Sequence, residues 1–87
     1  MHESASERFK KRLRDLRKLR GWTQETAAEA CSLNYKVYQL YELGINRNPG
    51  LLTLEKIACG YSLDVSELLA PAPPQIQLPK AQAKQTI

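Results

Sequence analysis

The sequence predicts an all-α fold, a compact bundle of five short helices, and three observations predict it. Apolar residues recur at helical spacing in five successive segments. Residues that cap helices begin these segments, and glycines follow several of them. The chain has 87 residues, and a chain of this size buries only about 60% of the surface exposed when it is unfolded. One domain with a modest core is therefore expected.

The first two helices are predicted from their ends. Ser4 and the glutamate three residues later have the spacing of a capping box, and the first helix is expected over about Glu7–Arg20. Gly21 provides a left-handed stop, and Thr23 offers an N-cap for a second, short helix. Trp22 precedes this cap and is expected to pack against the core. The core-facing residues of both helices are Phe9, Leu13, Leu16, Ala27, Ala28 and Cys31.

The third helix is expected over about Tyr35–Leu43, between an N-cap at Asn34 and a stop at Gly44. Residues 45–50 have the turn chemistry of a loop. A fourth helix ending near Gly60 follows, and its apolar positions are Leu51, Leu54, Ile57, Ala58 and Tyr61.

The fifth helix begins with a second capping box, Asp64 to Glu67, in which Leu63 and Leu68 form the accompanying hydrophobic staple. Four prolines separated by Ala, Gln and Lys follow, and this composition buries too little apolar surface to offset the entropy of ordering. The predicted organisation is a flexible N-terminus over residues 1–6, a domain over residues 7–70 and a disordered tail over residues 71–87.

The charge of the chain favours an anionic partner. There are 13 basic and 9 acidic residues, which gives a net charge of +4 and a pI near 9.3. Eight of the basic residues lie in the first twenty: Arg8, Lys10, Lys11, Arg12, Arg14, Arg17, Lys18 and Arg20. A solvated helix face and a phosphate-facing surface explain this cluster equally well, whereas the segment lacks the wide apolar face of a membrane-surface helix.

Other classes of function fit the sequence poorly. His2 is the single histidine, no nucleophile has a neighbouring base in sequence, and there is no glycine-rich phosphate loop, so no enzyme and no cofactor are expected. Cys31 and Cys59 have no metal-ligand spacing and are expected to be semi-buried apolar residues. With no spanning segment and no signal-peptide core, a cytoplasmic protein is expected.

The segment from Gln24 to Glu42 has the pattern of a helix-turn-helix. Such a motif needs small residues where its helices cross and apolar residues at fixed offsets on its inner side. Counted from Gln24, the residues at these offsets are Ala27, Ala28, Cys31, Leu33, Tyr38 and Tyr41.

Several motifs in order extend this pattern: RLRDLRKLRGWTQ from Arg12 to Gln24, then ETAAEA, YELG, NP, TLEKIA and DVSELL. From Phe9 to Leu69 the chain resembles the phage-repressor/Cro-type (Xre-like) helix-turn-helix domains. The resemblance implies a lambda-repressor-like five-helix fold. It also implies that the third helix enters the major groove of double-stranded DNA while the second lies across the backbone.

The resemblance also implies roles for individual residues. Arg17 and Glu42 match a structural ion pair between helices. Phosphate contacts are expected from Thr23, Gln24, Asn46 and Arg47. Base contacts are expected from Asn34, Tyr35, Lys36, Gln39 and Leu40. Lys36 suits guanine, Gln39 suits adenine, and Tyr35 suits a base edge or a phosphate.

The sequence departs from the family pattern on the inner side of the motif, where Ala27 and Cys31 are smaller and Tyr38 and Tyr41 larger than usual, and also in the turn and on the outer side of the third helix. Ser32 replaces the usual turn glycine, which costs up to about 1 kcal/mol if the backbone is left-handed there. Leu40 and Leu43 point away from the expected core, where they contact either thymine methyl groups or another protein.

The leading hypothesis is a transcriptional repressor that binds a palindromic operator as a homodimer. Its dimer surface is expected in the fifth helix with Leu68 and Leu69, in the tail, or around Leu43. The alternative is an antitoxin-like or adaptor protein that binds a protein partner through the tail or the exposed apolar strip.

Overall fold

A computed structural model of the protein describes residues 4–71, and within them it contains five α-helices and no strand. The helices are α1 (Ala5–Arg20), α2 (Gln24–Ala30), α3 (Tyr35–Leu43), α4 (Leu51–Gly60) and α5 (Val65–Leu69). The predicted all-α class is confirmed. None of these helices is both long and apolar enough to cross a membrane. The predictions for residues 1–3 and for the tail from residue 72 onward lie outside the described residues.

The start of α1 was predicted too late. The helix begins at Ala5 rather than Glu7, because the Ser4 hydroxyl accepts a hydrogen bond from the backbone N–H of Glu7 at 3.1 Å. An N-cap side chain bonds the N–H of the third helical residue, so the helix begins at the residue that directly follows the cap. The predicted end is confirmed, since Gly21 is left-handed with φ of +69° and its N–H bonds to carbonyls of the last turn.

The core lies where α1, α3 and α4 meet the small residues of α2. Its buried members are Phe9, Leu13, Leu16, Ala27, Ala28, Cys31, Tyr38, Tyr41, Ile57, Ala58, Tyr61 and Leu68. Leu51 was assigned to the apolar side of α4, but 67% of it is exposed. It is the first residue of the helix, and Leu54, one turn later, is the first α4 residue packed against the core. Cys59 is exposed as well, whereas Cys31 is buried as expected.

The same turn ends α2 and α4. A serine with positive φ occupies the turn in each case, Ser32 at 56° and Ser62 at 60°. The serine N–H and the following leucine N–H close the turn on carbonyls of the preceding helix. An Asn or Asp N-cap then begins the next helix. The left-handed backbone considered for Ser32 is therefore present, and the matching turn at Ser62 was missed.

Gly60 allows the end of α4 to pass close to the end of α2. A Cβ atom at this position would lie 2.7 Å from the backbone oxygen of Ala30 and 2.7 Å from the Cys31 sulfur. Real side chains do not approach so closely, so this crossing requires glycine.

Two arginines of α1 hold α5, the shortest helix, against the bundle. The Arg12 guanidinium is buried and donates to the carbonyl oxygens of Glu67 at 2.7 Å, Leu68 at 3.1 Å and Ala70 at 2.6 Å. Arg8 donates through Nε to the Leu69 oxygen at 3.1 Å. These carbonyls lie at a helix C-terminus, where the helix itself supplies no partner. Part of the basic cluster is thus neither a solvated face nor a phosphate-facing surface, because it caps a helix.

Candidate nucleic-acid interface

The helix-turn-helix is formed by α2 and α3. Five of its six predicted inner residues are buried, and Leu33 is half-buried in the turn. Tyr38 on α3 and Tyr61 after α4 are both fully buried, and their hydroxyl oxygens lie 2.6 Å apart. Burial raises the pKa of both phenols. This contact fixes α3 against the bundle from its inner side.

The N-termini of α2 and α3 are closed by their predicted caps. The Thr23 hydroxyl accepts from the N–H of Thr26 at 3.1 Å, and the Asn34 side-chain oxygen accepts from the N–H of Lys36 at 2.8 Å. Both cap residues are exposed. Thr23 and Asn34, which were predicted to contact phosphate and base respectively, therefore act first as helix caps.

Arg17 and Glu42 form a two-bond ion pair between α1 and α3. Arg17 Nε donates to Glu42 Oε2 and Arg17 Nη2 donates to Oε1, both at 2.8 Å. A third bond joins Arg17 Nη1 to the Trp22 oxygen at 3.2 Å. The Glu42 side chain is 3% exposed. Burial alone would raise the pKa of Glu42, but hydrogen bonds from Arg17 and Gln24 hold it below its ordinary value.

A chain of side-chain hydrogen bonds runs from this ion pair to the outer side of α3. Gln24 Nε2 donates to Glu42 Oε1 at 3.0 Å, and Gln39 Nε2 donates to Gln24 Oε1 at 3.3 Å. Gln39 Nε2 also donates to the Tyr35 hydroxyl at 3.4 Å. We call Glu42, Gln24, Gln39 and Tyr35 the polar chain. It brings three of the predicted contact residues together.

Gln24 remains compatible with its predicted phosphate contact. It is the first residue of α2, where the helix N–H groups lack internal partners, and its amide nitrogen carries a second hydrogen beyond the one given to Glu42. The bond to Glu42 fixes the position of the side chain. This bond was not predicted, because the family resemblance pairs Glu42 with Arg17 alone.

The remaining predicted base-contact residues lie on the same helix. Lys36 is exposed, 43% of Tyr35 is exposed, and Leu40 is half-buried rather than directed fully outward. Leu43 and Ile45, at and just beyond the end of α3, are 53% and 69% exposed. The apolar strip considered for a protein partner is therefore centred beyond Leu40.

The loop after α3 contains the other two predicted phosphate contacts. Arg47 is exposed, whereas Asn46 is half-buried and its side-chain oxygen accepts from the N–H of Asn48 at 3.2 Å. The backbone N–H of Asn46 bonds to the Leu40 oxygen at 3.1 Å. Asn46 thus shapes the loop that presents Arg47.

A second cluster, formed by Arg20, Trp22 and Tyr61, joins the segment between α1 and α2 to the end of α4. The Trp22 and Tyr61 rings stack with centroids 5.4 Å apart, and the Arg20 guanidinium lies 5.5 Å from the Trp22 ring centroid. Arg20 Nη2 also donates to the Tyr61 oxygen at 2.8 Å. The predicted packing of Trp22 against the core is present, and Tyr61 is its partner.

This geometry defines a protein of the helix-turn-helix class, with α2 and α3 as the two helices of the motif. A family model described as helix-turn-helix, of the Xre/Cro-like type, matches residues 13–68, which is more than half of the 87 residues. The chain belongs to this family, and its domain is of the kind found in DNA-binding transcription regulators. No curated protein and no solved structure shows a significant match to the chain.

Proposed function

We propose that the protein is a sequence-specific transcriptional repressor that binds a palindromic operator as a homodimer, and that it acts by binding rather than by catalysis. The polar chain carries this proposal. It anchors two candidate base-contact residues, Tyr35 and Gln39, to the buried Arg17–Glu42 pair through Gln24. Side chains held in this way lose little conformational entropy when they bind a base edge.

Phosphate contacts position the recognition helix. Thr23 and Gln24 stand at the N-terminus of α2, where an anion meets unpaired N–H groups and the positive end of the helix dipole. Arg47 provides a positive charge on the loop that follows α3. The α2 N-terminus and Arg47 would contact the DNA phosphate backbone on either side of the residues that read bases.

A homodimer is proposed because one such domain reads only a few base pairs. Of the expected dimer surfaces, the one on α5 loses Leu68, which is 0% exposed and part of the core, whereas the one around Leu43 remains exposed. Among the described residues, the large apolar side chains that remain exposed are Leu19, Tyr35, Leu43, Ile45, Leu51 and Leu52. A protein partner that binds through the tail would use residues outside the described ones.

Selection of bound duplexes from a random DNA library tests the proposal. We expect enrichment of two inverted half-sites whose centres lie about 34 Å apart or a multiple of that distance. A single half-site without an inverted copy would contradict the homodimer. No enriched sequence at all would contradict sequence-specific binding.

A further inference from the structure

The Glu42 carboxylate determines which way the two glutamine amides of the polar chain are oriented. An ionised carboxylate only accepts hydrogen bonds. The Gln24 atom that faces Glu42 Oε1 at 3.0 Å must therefore be the nitrogen, so the Gln24 oxygen faces Gln39. The Gln39 atom 3.3 Å from that oxygen must in turn be its nitrogen. The orientation follows from the chemistry of Glu42 and holds for both amides.

Both hydrogens of the Gln39 amide are used within the protein. One points to Gln24 Oε1 at 3.3 Å and the other to the Tyr35 hydroxyl at 3.4 Å. Gln39 Oε1 has no partner among residues 4–71 and is free to accept a hydrogen bond. Because the Tyr35 hydroxyl accepts from Gln39, it keeps its own hydrogen for donation. The outer end of the polar chain therefore presents one acceptor, on Gln39, and one donor, on Tyr35.

We propose that Gln39 reads the major groove as an acceptor only, from an exocyclic amine of adenine or cytosine, with the Tyr35 hydroxyl as the adjacent donor. The inference rests on the proposed sequence-specific binding and specifies its chemistry. It excludes the two-bond contact that glutamine can make with adenine, because that contact needs a free amide N–H for adenine N7. If the base is adenine, Tyr35 supplies the donor to N7; if it is cytosine, the amine is the only group read on that base.

The test begins with library selection using the wild-type protein and Gln39→Ala. Gln39 is half-buried on the surface of α3 and is not part of the core, so the variant is expected to fold. We expect it to lose base preference at one position of each half-site while the other positions keep theirs. An unchanged preference at every position would overturn the inference, whereas the absence of any enriched sequence in the wild-type selection would contradict sequence-specific binding itself.

Base analogues at the position found in this way then identify the atom that Gln39 reads. Removing the exocyclic amine, with purine in place of adenine or a pyrimidinone in place of cytosine, should weaken wild-type binding about three- to tenfold, as expected for one hydrogen bond. The same analogue should have no further effect on Gln39→Ala. A loss of affinity with purine identifies adenine as the base that is read, and a loss with the pyrimidinone identifies cytosine. Equal wild-type affinity with and without the amine would overturn the inference.

For an adenine site, 7-deazaadenine tests the division of labour between the two side chains. Its effect should persist in Gln39→Ala, in which Tyr35 keeps its donor, and should disappear in the double variant Gln39→Ala/Tyr35→Phe, in which neither side chain can donate. An effect that disappears in Gln39→Ala instead would mean that Gln39 donates to N7, which the inference forbids.

For either base, Gln24→Met tests the role of Gln24 as a positioning residue. The variant releases one N–H of Gln39, so Gln39 should gain the ability to donate, and guanine or thymine should become acceptable at that position. An unchanged preference for the amine in Gln24→Met would contradict the orienting role of the polar chain.

Discussion

The hydroxyl oxygens of Tyr38 and Tyr61 lie 2.6 Å apart in the core and join the middle of α3 to the end of α4. Each hydroxyl is the partner that the other needs, because a buried polar group without a hydrogen bond costs about 1–3 kcal/mol. The Tyr38 hydroxyl also interacts with the Glu42 carboxylate and contributes to its lowered pKa. The helix α3 is thus held from inside by Tyr38 and Glu42, and Glu42 also orients its outer side chains through Gln24.

A double-mutant cycle of Tyr38→Phe and Tyr61→Phe tests this contact. Each single change should lower the free energy of unfolding by about 1–2 kcal/mol, since it removes the hydrogen bond between the two buried hydroxyls. The double variant should lose clearly less than the sum of the two singles. Urea unfolding measures the three values, and strictly additive losses would show that the two hydroxyls are not coupled.

Removal of the Arg17 guanidinium should have a pH-dependent effect. In Arg17→Met, the buried carboxylate of Glu42 loses its cation, and the free energy of unfolding should fall by about 3 kcal/mol at pH 7. The pKa of Glu42 is lowered in the folded protein, so the contribution of the pair is present above its unfolded pKa of about 4.3 and is lost as the pH falls through the folded pKa.

Urea titrations of the wild type and Arg17→Met at pH values between 7 and 3 measure this dependence. The stability difference between them should shrink as the solution is acidified. Arg14→Met, at an exposed position of the same helix, serves as the control and should differ little from the wild type at any pH. A difference that is constant with pH would exclude Glu42 as the titrating partner.

Arg12 should be necessary for the attachment of α5. Arg12→Met removes the bonds to the carbonyls of Glu67, Leu68 and Ala70 and should destabilise the protein by about 2–3 kcal/mol. Hydrogen exchange at the Leu68 amide, which bonds to the Asp64 oxygen, should accelerate more than exchange at the buried turns of α1. If Arg12→Met and the exposed control Arg14→Met behave alike, α5 is held by its apolar contacts alone.

Gly60→Ala should be destabilising although alanine is the better helix former by about 1 kcal/mol. The new methyl group would meet the Ala30 backbone oxygen and the Cys31 sulfur at 2.7 Å, so α2 and α4 would have to separate. We expect a loss of about 1–3 kcal/mol, as for other overpacked sites. Cys59→Ala, an exposed neighbour on α4, should change the melting temperature little. Unaltered or increased stability of Gly60→Ala would disprove the tight crossing.

Local sequence signals predicted the helices because caps and stops act within a few residues. Thr23, Asn34 and Asp64 each accept the backbone bond that their chemistry suggests, and Gly44 is left-handed. The turn at Ser62 was also predictable, because Tyr-Ser-Leu-Asp repeats the pattern of Cys-Ser-Leu-Asn thirty residues earlier.

Contacts between distant residues were harder to predict. Arg12 lies 55 residues before the first α5 carbonyl that it caps, and nothing in the local pattern of α1 distinguishes it from the exposed Arg14. The link from Gln24 to Gln39 depends on side-chain geometry between two helices, which spacing alone does not fix. The contact between Tyr38 and Tyr61 was more predictable. Both tyrosines stand at core-facing positions, and a buried phenol hydroxyl needs a hydrogen-bond partner.

Affinity for an enriched operator duplex and for a scrambled duplex of the same length, measured as a function of salt, tests the central claim most directly. If each protomer of a dimer contacts about four phosphates, the logarithm of affinity should fall against the logarithm of salt concentration with a slope of roughly −7. At physiological salt the operator should bind at least about a thousandfold more tightly than the scrambled duplex. Equal affinities for the two duplexes, or a slope near zero, would contradict sequence-specific DNA binding through α3.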